Sequence, residues 1–218
     1  MKIGHINYLN LLPFYQFLKK KGIRVYSSYP AYINKLFEKK QIEAAFISSI
    51  KAKNKKCFNV GIAAKNRVKS VLVCPGQGED KESQTSNILA KILNQEGRVV
   101  IGDKAFKEKG CKDLAKIWFE KYNLPFVFAL FCVNKNEKKY EKLIKEFLKS
   151  KQKIPYYILK PYLKKTSLSY KEAREYLEKI IYYKLSWQEK KALYKFWKEA
   201  KKLKKESHGL LKTNRDRG

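Results

Sequence analysis

The chain has 218 residues, 44% of them apolar and 14% aromatic, with 50 Lys and Arg against 20 Asp and Glu for a formal net charge of +30. That apolar content excludes a disordered or fibrous chain and suffices for one large domain or two small lobes. The positive charge comes as short lysine clusters on polar helix sides, without one basic stripe interleaved with aromatics, so it reads as a solvated surface and not as a nucleic-acid footprint.

In chain order, Ile3 to Asn7 reads as a strand, Leu11 to Lys20 as a helix, Ile23 to Ser27 as a strand, Ala31 to Lys39 as a helix and Ala44 to Ile47 as a strand. Phe58 to Ala63 and Lys69 to Cys74 continue as strands, and the polar stretch Pro75 to Ser83 reads as a crossover into a second lobe. Beyond it come a helix at Thr85 to Asn94, a strand at Arg98 to Ile101 ending in Gly102-Asp103, and a helix at Lys112 to Tyr122. An apolar strand at Phe126 to Val133 and a helix at Lys135 to Ser150 follow. From Ser169 the pattern is helical only, over Tyr170 to Tyr183 and Trp187 to Lys204, with Ser169 and Ser186 as N-caps and a polar, frayed tail from Glu206 to Gly218. Alternating β and α segments point to an α/β protein with parallel strands.

Cys57, Cys74, Cys111 and Cys132 are widely spaced and form no Cys-x-x-Cys pair, which predicts buried free thiols and neither a zinc site nor a disulfide framework. The first twenty residues lack a small-residue cleavage site, and no run reaches the roughly 20 apolar residues of a membrane span. The expectation is a cytoplasmic protein without membrane or nucleic-acid partners.

In open α/β sheets, ligands bind beyond the carboxyl ends of strands, where helix N-termini present unpaired N–H groups. The strand ends here offer Asn10 before Leu11-Leu12-Pro13, Ser48-Ser49, the helix opening Ser83-Gln84-Thr85-Ser86, and Asn123-Leu124-Pro125-Phe126. Asn10 and Ser83 to Ser86 also read as simple caps, Ser48-Ser49 as a turn and Asp103 as the cap of a short helix. P-loop, Gly-x-Gly-x-x-Gly, His-Glu-x-x-His and Gly-x-Ser-x-Gly motifs are absent from the sequence. His5 falls inside or beside the first strand, where packing or a backbone hydrogen bond is its expected role. Only Asp103 and Glu43 come close to these ends as acid–base candidates.

These segments together resemble a known family. Ile3-Gly4-His5-Ile6-Asn7-Tyr8-Leu9-Asn10 with Pro13, Ala45-Phe46-Ile47-Ser48-Ser49, Ser70-Val71-Leu72-Val73, Gln84-Thr85-Ser86, Ile101-Gly102-Asp103-Lys104-Ala105 and Asp113-Leu114-Ala115 with Trp118 carry the resemblance, together with Leu124-Pro125-Phe126-Val127-Phe128-Ala129. In order and approximate spacing, over nearly the whole chain, they resemble the chorismate dehydratases of the futalosine route to menaquinone.

The resemblance implies a two-lobed, type 2 periplasmic-binding-protein-like fold with the ligand cleft between the lobes and C-terminal helices. Residues 1–74 plus 166–218 would form lobe one and residues 75–165 lobe two. It implies a hydro-lyase that removes water from chorismate to give 3-[(1-carboxyvinyl)oxy]benzoate, with a dianionic small-molecule substrate and no metal or organic cofactor. Asn10 would be the catalytic contact, and Ser48, Thr85 and Ser86 would bind substrate carboxylates. The family pattern has a small polar residue after the Asn, where this chain has Leu11. Competing readings are a 1,4-dihydroxy-6-naphthoate synthase-like enzyme of the same route and a non-catalytic solute-binding protein on the same fold.

Overall fold

The computed structural model describes the backbone through residue 213 and side chains through residue 206. The chain opens with β1 (Ile3–Ile6), a 3-10 turn over Leu9–Leu11, α1 (Leu12–Lys20), β2 (Val25–Ser28), α2 (Pro30–Glu38), β3 (Ala44–Ser48), the single turn α3 (Ser49–Ala52) and β4 (Cys57–Ala64). Next come β5 (Val71–Cys74), α4 (Gln84–Ile92), β6 (Arg98–Ile101), a 3-10 segment over Gly102–Lys107, β7 (Lys112–Asp113), α5 (Leu114–Tyr122), β8 (Phe126–Val133) and α6 (Glu137–Lys149). The chain closes with α7 (Tyr156–Thr166), α8 (Tyr170–Glu175), a π-helical turn over Tyr176–Ile180, β9 (Ile181–Lys184) and α9 (Trp187–Thr213).

Two sheets result, one of six strands in the order β2-β1-β3-β8-β4-β9 and one of three in the order β6-β5-β7. Strands β1, β2 and β3 are parallel as expected, but β8 runs antiparallel between β3 and β4, β9 is antiparallel to β4, and the small sheet is antiparallel throughout. The all-parallel expectation is thereby corrected, while the α/β architecture stands, built on two sheets.

Strand β8 and helix α6, expected in the second lobe, belong to the large sheet and its cover, and β5, expected in the first, belongs to the small sheet. The reason lies in β8 itself: all but one of its residues are buried, and only a central position gives both its edges hydrogen-bonding partners. The segment Tyr170 to Tyr183, expected as one helix, breaks at the π turn into edge strand β9, and α7 arises where no element was expected. The tail remains helical through Thr213, and residues 214–218 lie outside the described residues.

Local chemistry accounts for the element ends. Helix α1 has Pro13 in its first turn and Lys19 and Lys20 in its last, suited to the missing N–H and to the macrodipole. Asp113 caps α5, accepting from the Ala115 and Lys116 amides through Oδ1 while Oδ2 accepts from Val68 and Lys69. Ser169 forms a capping box with Glu172, and at the start of α9 the Ser186 amide donates to Glu189 Oε2 while Ser186 Oγ accepts from the Gln188 amide. Helix α6 buries Tyr140, Leu143, Ile144 and Phe147, a stripe at helical spacing. Phe14 lies edge to face with Phe46, Phe131 and Phe147, fixing α1 and α6 on the large sheet.

The cysteines overturn the free-thiol expectation, since Cys57 joins Cys132 and Cys74 joins Cys111 in disulfides. The sequence conceals both pairs because they form across ladders. Cys57 stands directly opposite Cys132 between β4 and β8, and Cys74 ends β5 beside the strand that follows Cys111. Among the described residues, no helix is long and apolar enough to cross a membrane.

Candidate functional site

A cleft opens between the two sheets. It lies beyond the carboxyl ends of β1 and β3, with Ile62 of β4 and Phe128 and Ala129 of β8 on one wall and Ser70, Val71, Ile101 and Gly102 of the small sheet on the other. The four residues expected to touch ligand, Asn10, Ser48, Thr85 and Ser86, all line this cleft.

Each is positioned by its element. Asn10 lies in the 3-10 turn after β1, where it caps nothing: the residue before α1 is Leu11, and Asn10 Oδ1 is buried without a protein partner. Its backbone oxygen accepts from the Tyr183 hydroxyl at 2.6 Å, which pins the turn from β9. Ser48 ends β3 in a reciprocal pair with Asn34, its amide donating to Asn34 Oδ1 and its Oγ accepting from Asn34 Nδ2, both at 3.1 Å. Thr85 Oγ1 accepts from the Ile50 amide at 3.2 Å, so the first turns of α3 and α4 meet at the cleft. Ser83 caps α4 by accepting from the Ser86 amide at 3.2 Å, and its hydroxyl donates to Ser86 Oγ at 2.8 Å.

The N-terminus of a nine-residue helix, flanked by hydroxyls and an amide, therefore faces the cleft, a setting that favours a negatively charged ligand. The lining holds no histidine, carboxylate, lysine or arginine among the described residues. Its one titratable group, the Tyr8 hydroxyl, donates to Glu82, and burial together with that carboxylate pushes the phenol well above its usual range.

The other candidates lie elsewhere. Asp103 does not cap its own helix; it accepts from the Leu9 amide and pairs with Lys165 outside the lining. Glu43 is at the far end of β3, where hydrogen bonding to Tyr140 holds its carboxyl below the usual range. Asn123 takes a left-handed backbone at the end of α5, and the Pro125 carbonyl accepts from Trp118, so that corner is structural. His5 is buried in β1 and stacked on Tyr15 at 4.8 Å.

Leu11, 1% exposed, presents an apolar wall at the position where the family pattern has a small polar residue. Two features escaped sequence reasoning. Ser70 lines the cleft from the loop before β5. Gly102 has φ of +70°, and a Cβ there would lie 2.6 Å from the Tyr8 ring, so the ring of Tyr8 closes directly over backbone.

A family model described as menaquinone biosynthesis matches residues 1–99 and 82–202. A chorismate dehydratase of Campylobacter jejuni subsp. jejuni is 44% identical over an alignment of 220 positions that covers 93% of this chain and 99% of the relative. Among solved structures, a protein from Archaeoglobus fulgidus superposes with a TM-score of 0.69 at 14% identity, over 96% of this chain and 97% of its own, a likeness of fold alone. A Candida albicans protein described as having the generic periplasmic binding protein fold superposes at 0.47 with 13% identity, over 92% and 89% of the two chains.

Proposed function

The chain belongs to the menaquinone biosynthesis family, and from that premise we propose that it is a chorismate dehydratase, a hydro-lyase that eliminates water from chorismate to give 3-[(1-carboxyvinyl)oxy]benzoate. The observation that carries the reading is the cleft itself, in which Asn10, Ser48, Thr85 and Ser86 converge with the first turn of α4 and, among the described residues, no charged side chain forms part of the lining.

Chorismate is a dianion with two carboxylates, one ring hydroxyl and one enolpyruvyl ether. Loss of the proton from the ring carbon bearing the ether, with departure of the neighbouring hydroxyl as water, makes the ring aromatic, so the driving force resides in the substrate. The protein's task is to hold the dianion in one pose with donors already in place. Donors preorganised in this way are worth roughly 2.7–4 kcal/mol each in the transition state, and correct orientation contributes further.

Hydroxyls at Ser48, Thr85 and Ser86 and the helix N-terminus suit the carboxylates, and the apolar wall of Ile6, Leu11, Ile62 and Phe128 suits the ring and its vinyl group. With no histidine or carboxylate among the described lining residues, the substrate's own enolpyruvyl carboxylate is the group placed to take the ring proton. No cofactor has a part in this account. Incubation with chorismate, followed by ultraviolet absorbance and mass spectrometry, tests it: an aromatic enolpyruvyl product is expected, and unchanged chorismate with folded protein contradicts it.

A further inference from the structure

Asn34 lies outside the cleft lining, buried on the inner face of α2 one turn after Pro30, which does line it. Both of its polar groups go to one residue. The Ser48 amide donates to Asn34 Oδ1 and Asn34 Nδ2 donates to Ser48 Oγ, each at 3.1 Å. A backbone amide can only donate, so it settles which end of the asparagine meets the hydroxyl. Ser48 also stands at the N-cap of the α3 turn, where a serine oxygen ordinarily accepts from the amide two or three residues on. Here it does not: the Ile50 amide donates instead to Thr85 Oγ1, in the first turn of α4, at 3.2 Å. The Ser48 hydroxyl is thereby released from capping.

A hydroxyl has one hydrogen and two lone pairs. Asn34 fills one lone pair of Ser48 from behind, and among the described residues no protein acceptor takes the hydrogen. We propose that Asn34 is a positioning residue that holds Ser48 as a hydrogen-bond donor toward the cleft, so that the ligand group bound there is an acceptor, a carboxylate oxygen, and not an N–H. Thr85, whose oxygen is likewise occupied by an amide, has the same polarity. A carboxylate only accepts, and two hydroxyls held in this sense match it without an ion pair. The inference rests on the reading of the cleft as a chorismate site with Ser48 among its carboxylate contacts.

Asn34→Asp keeps the shape and the acceptor for the Ser48 amide, but its second carboxylate oxygen can only accept and so draws the Ser48 hydrogen away from the cleft. The KM of this variant for chorismate is expected to rise roughly tenfold or more, the scale of losing a hydrogen bond to a charged group, with kcat within about threefold of wild type because the contact holds substrate and transition state alike. In a Ser48→Ala background the same change is expected to raise KM by less than about threefold, since Asn34 then has no hydroxyl to orient. A carboxylate acting only by its charge would raise KM by the same factor in both backgrounds, and a merely structural asparagine would lower the melting temperature and leave KM per folded molecule alone. Either result overturns the inference. Should Asn34→Asp fail to fold, Asn34→Ala with equal KM factors in the two backgrounds overturns it as well. Wild-type protein that leaves chorismate unchanged overturns the reading of the cleft and the inference with it, whereas active wild type with an unchanged KM in Asn34→Asp overturns the inference alone.

Discussion

The backbone amide of Leu9 donates a 2.8 Å hydrogen bond to Asp103 Oδ1, tying the turn after β1 to the segment that leaves the small sheet at β6. Lys165 of α7 pairs with the other oxygen at 2.9 Å and also reaches the Asn7 carbonyl, while the Tyr162 hydroxyl donates to Asn7 Oδ1 at 2.7 Å. One carboxylate, 2% exposed, thus joins both walls of the cleft to α7. Asp103→Ala leaves the Leu9 amide without its buried acceptor and is expected to cost about 1–3 kcal/mol in urea denaturation, with a fall in kcat/KM. Asp103→Asn keeps an acceptor for Leu9 and is expected to lose less than Asp103→Ala. Equal stability of wild type and Asp103→Ala would remove this residue from the account.

Asn10 is expected to behave differently. Its side chain is not a cap and its Oδ1 has no protein partner, so Asn10→Ala should leave stability within about 1 kcal/mol of wild type. Turnover should fall about 100-fold or more, the scale for losing a preorganised polar contact. Steady-state kinetics beside a denaturation curve separates the two effects. An active Asn10→Ala enzyme would take the residue out of the mechanism.

His5 predicts a pH dependence of stability. Burial lowers its pKa from 6.5 to about 4 in the folded protein. Between those values the unfolded chain binds a proton that the folded chain refuses, so stability is whole above pH 6.5 and is lost as pH falls toward 4. At pH 4.5 the loss attributable to this residue is roughly 2–3 kcal/mol. His5→Phe keeps the ring against Tyr15 and should flatten the stability profile over that interval by a similar amount. Urea denaturation of both proteins at pH 7 and pH 4.5 measures it, and parallel profiles would show that His5 does not titrate as described.

Much of this architecture is legible in the sequence, for identifiable reasons. Strands β1, β3, β5, β6 and β8 are compact apolar runs bounded by polar turns, and α1, α2, α4 and α6 carry apolar stripes at helical spacing with recognisable ends. Asn10, Ser48, Thr85 and Ser86 stand at strand ends and helix starts, where polar residues collect and an α/β sheet binds ligands, but strand-end reasoning alone leaves them open as caps and turns, and the family resemblance is what singles them out. What escaped depends on contacts distant in sequence. Strand β9 is the four-residue segment Ile181–Lys184, which becomes a strand only because the edge of β4 is open to it. The insertion of β8 between β3 and β4 is a tertiary event, and so is the opposition of Cys57 and Cys132 across 75 residues. Ser70 and Tyr176, 106 residues apart, carry no local signal of their pairing.

The most direct measurement is the fate of chorismate with the purified protein. The account predicts conversion to 3-[(1-carboxyvinyl)oxy]benzoate, seen as a new aromatic absorbance and a mass lower by one water, in buffer without added metal or cofactor. Folded protein that leaves chorismate unchanged, or that yields a product without loss of water, would contradict it.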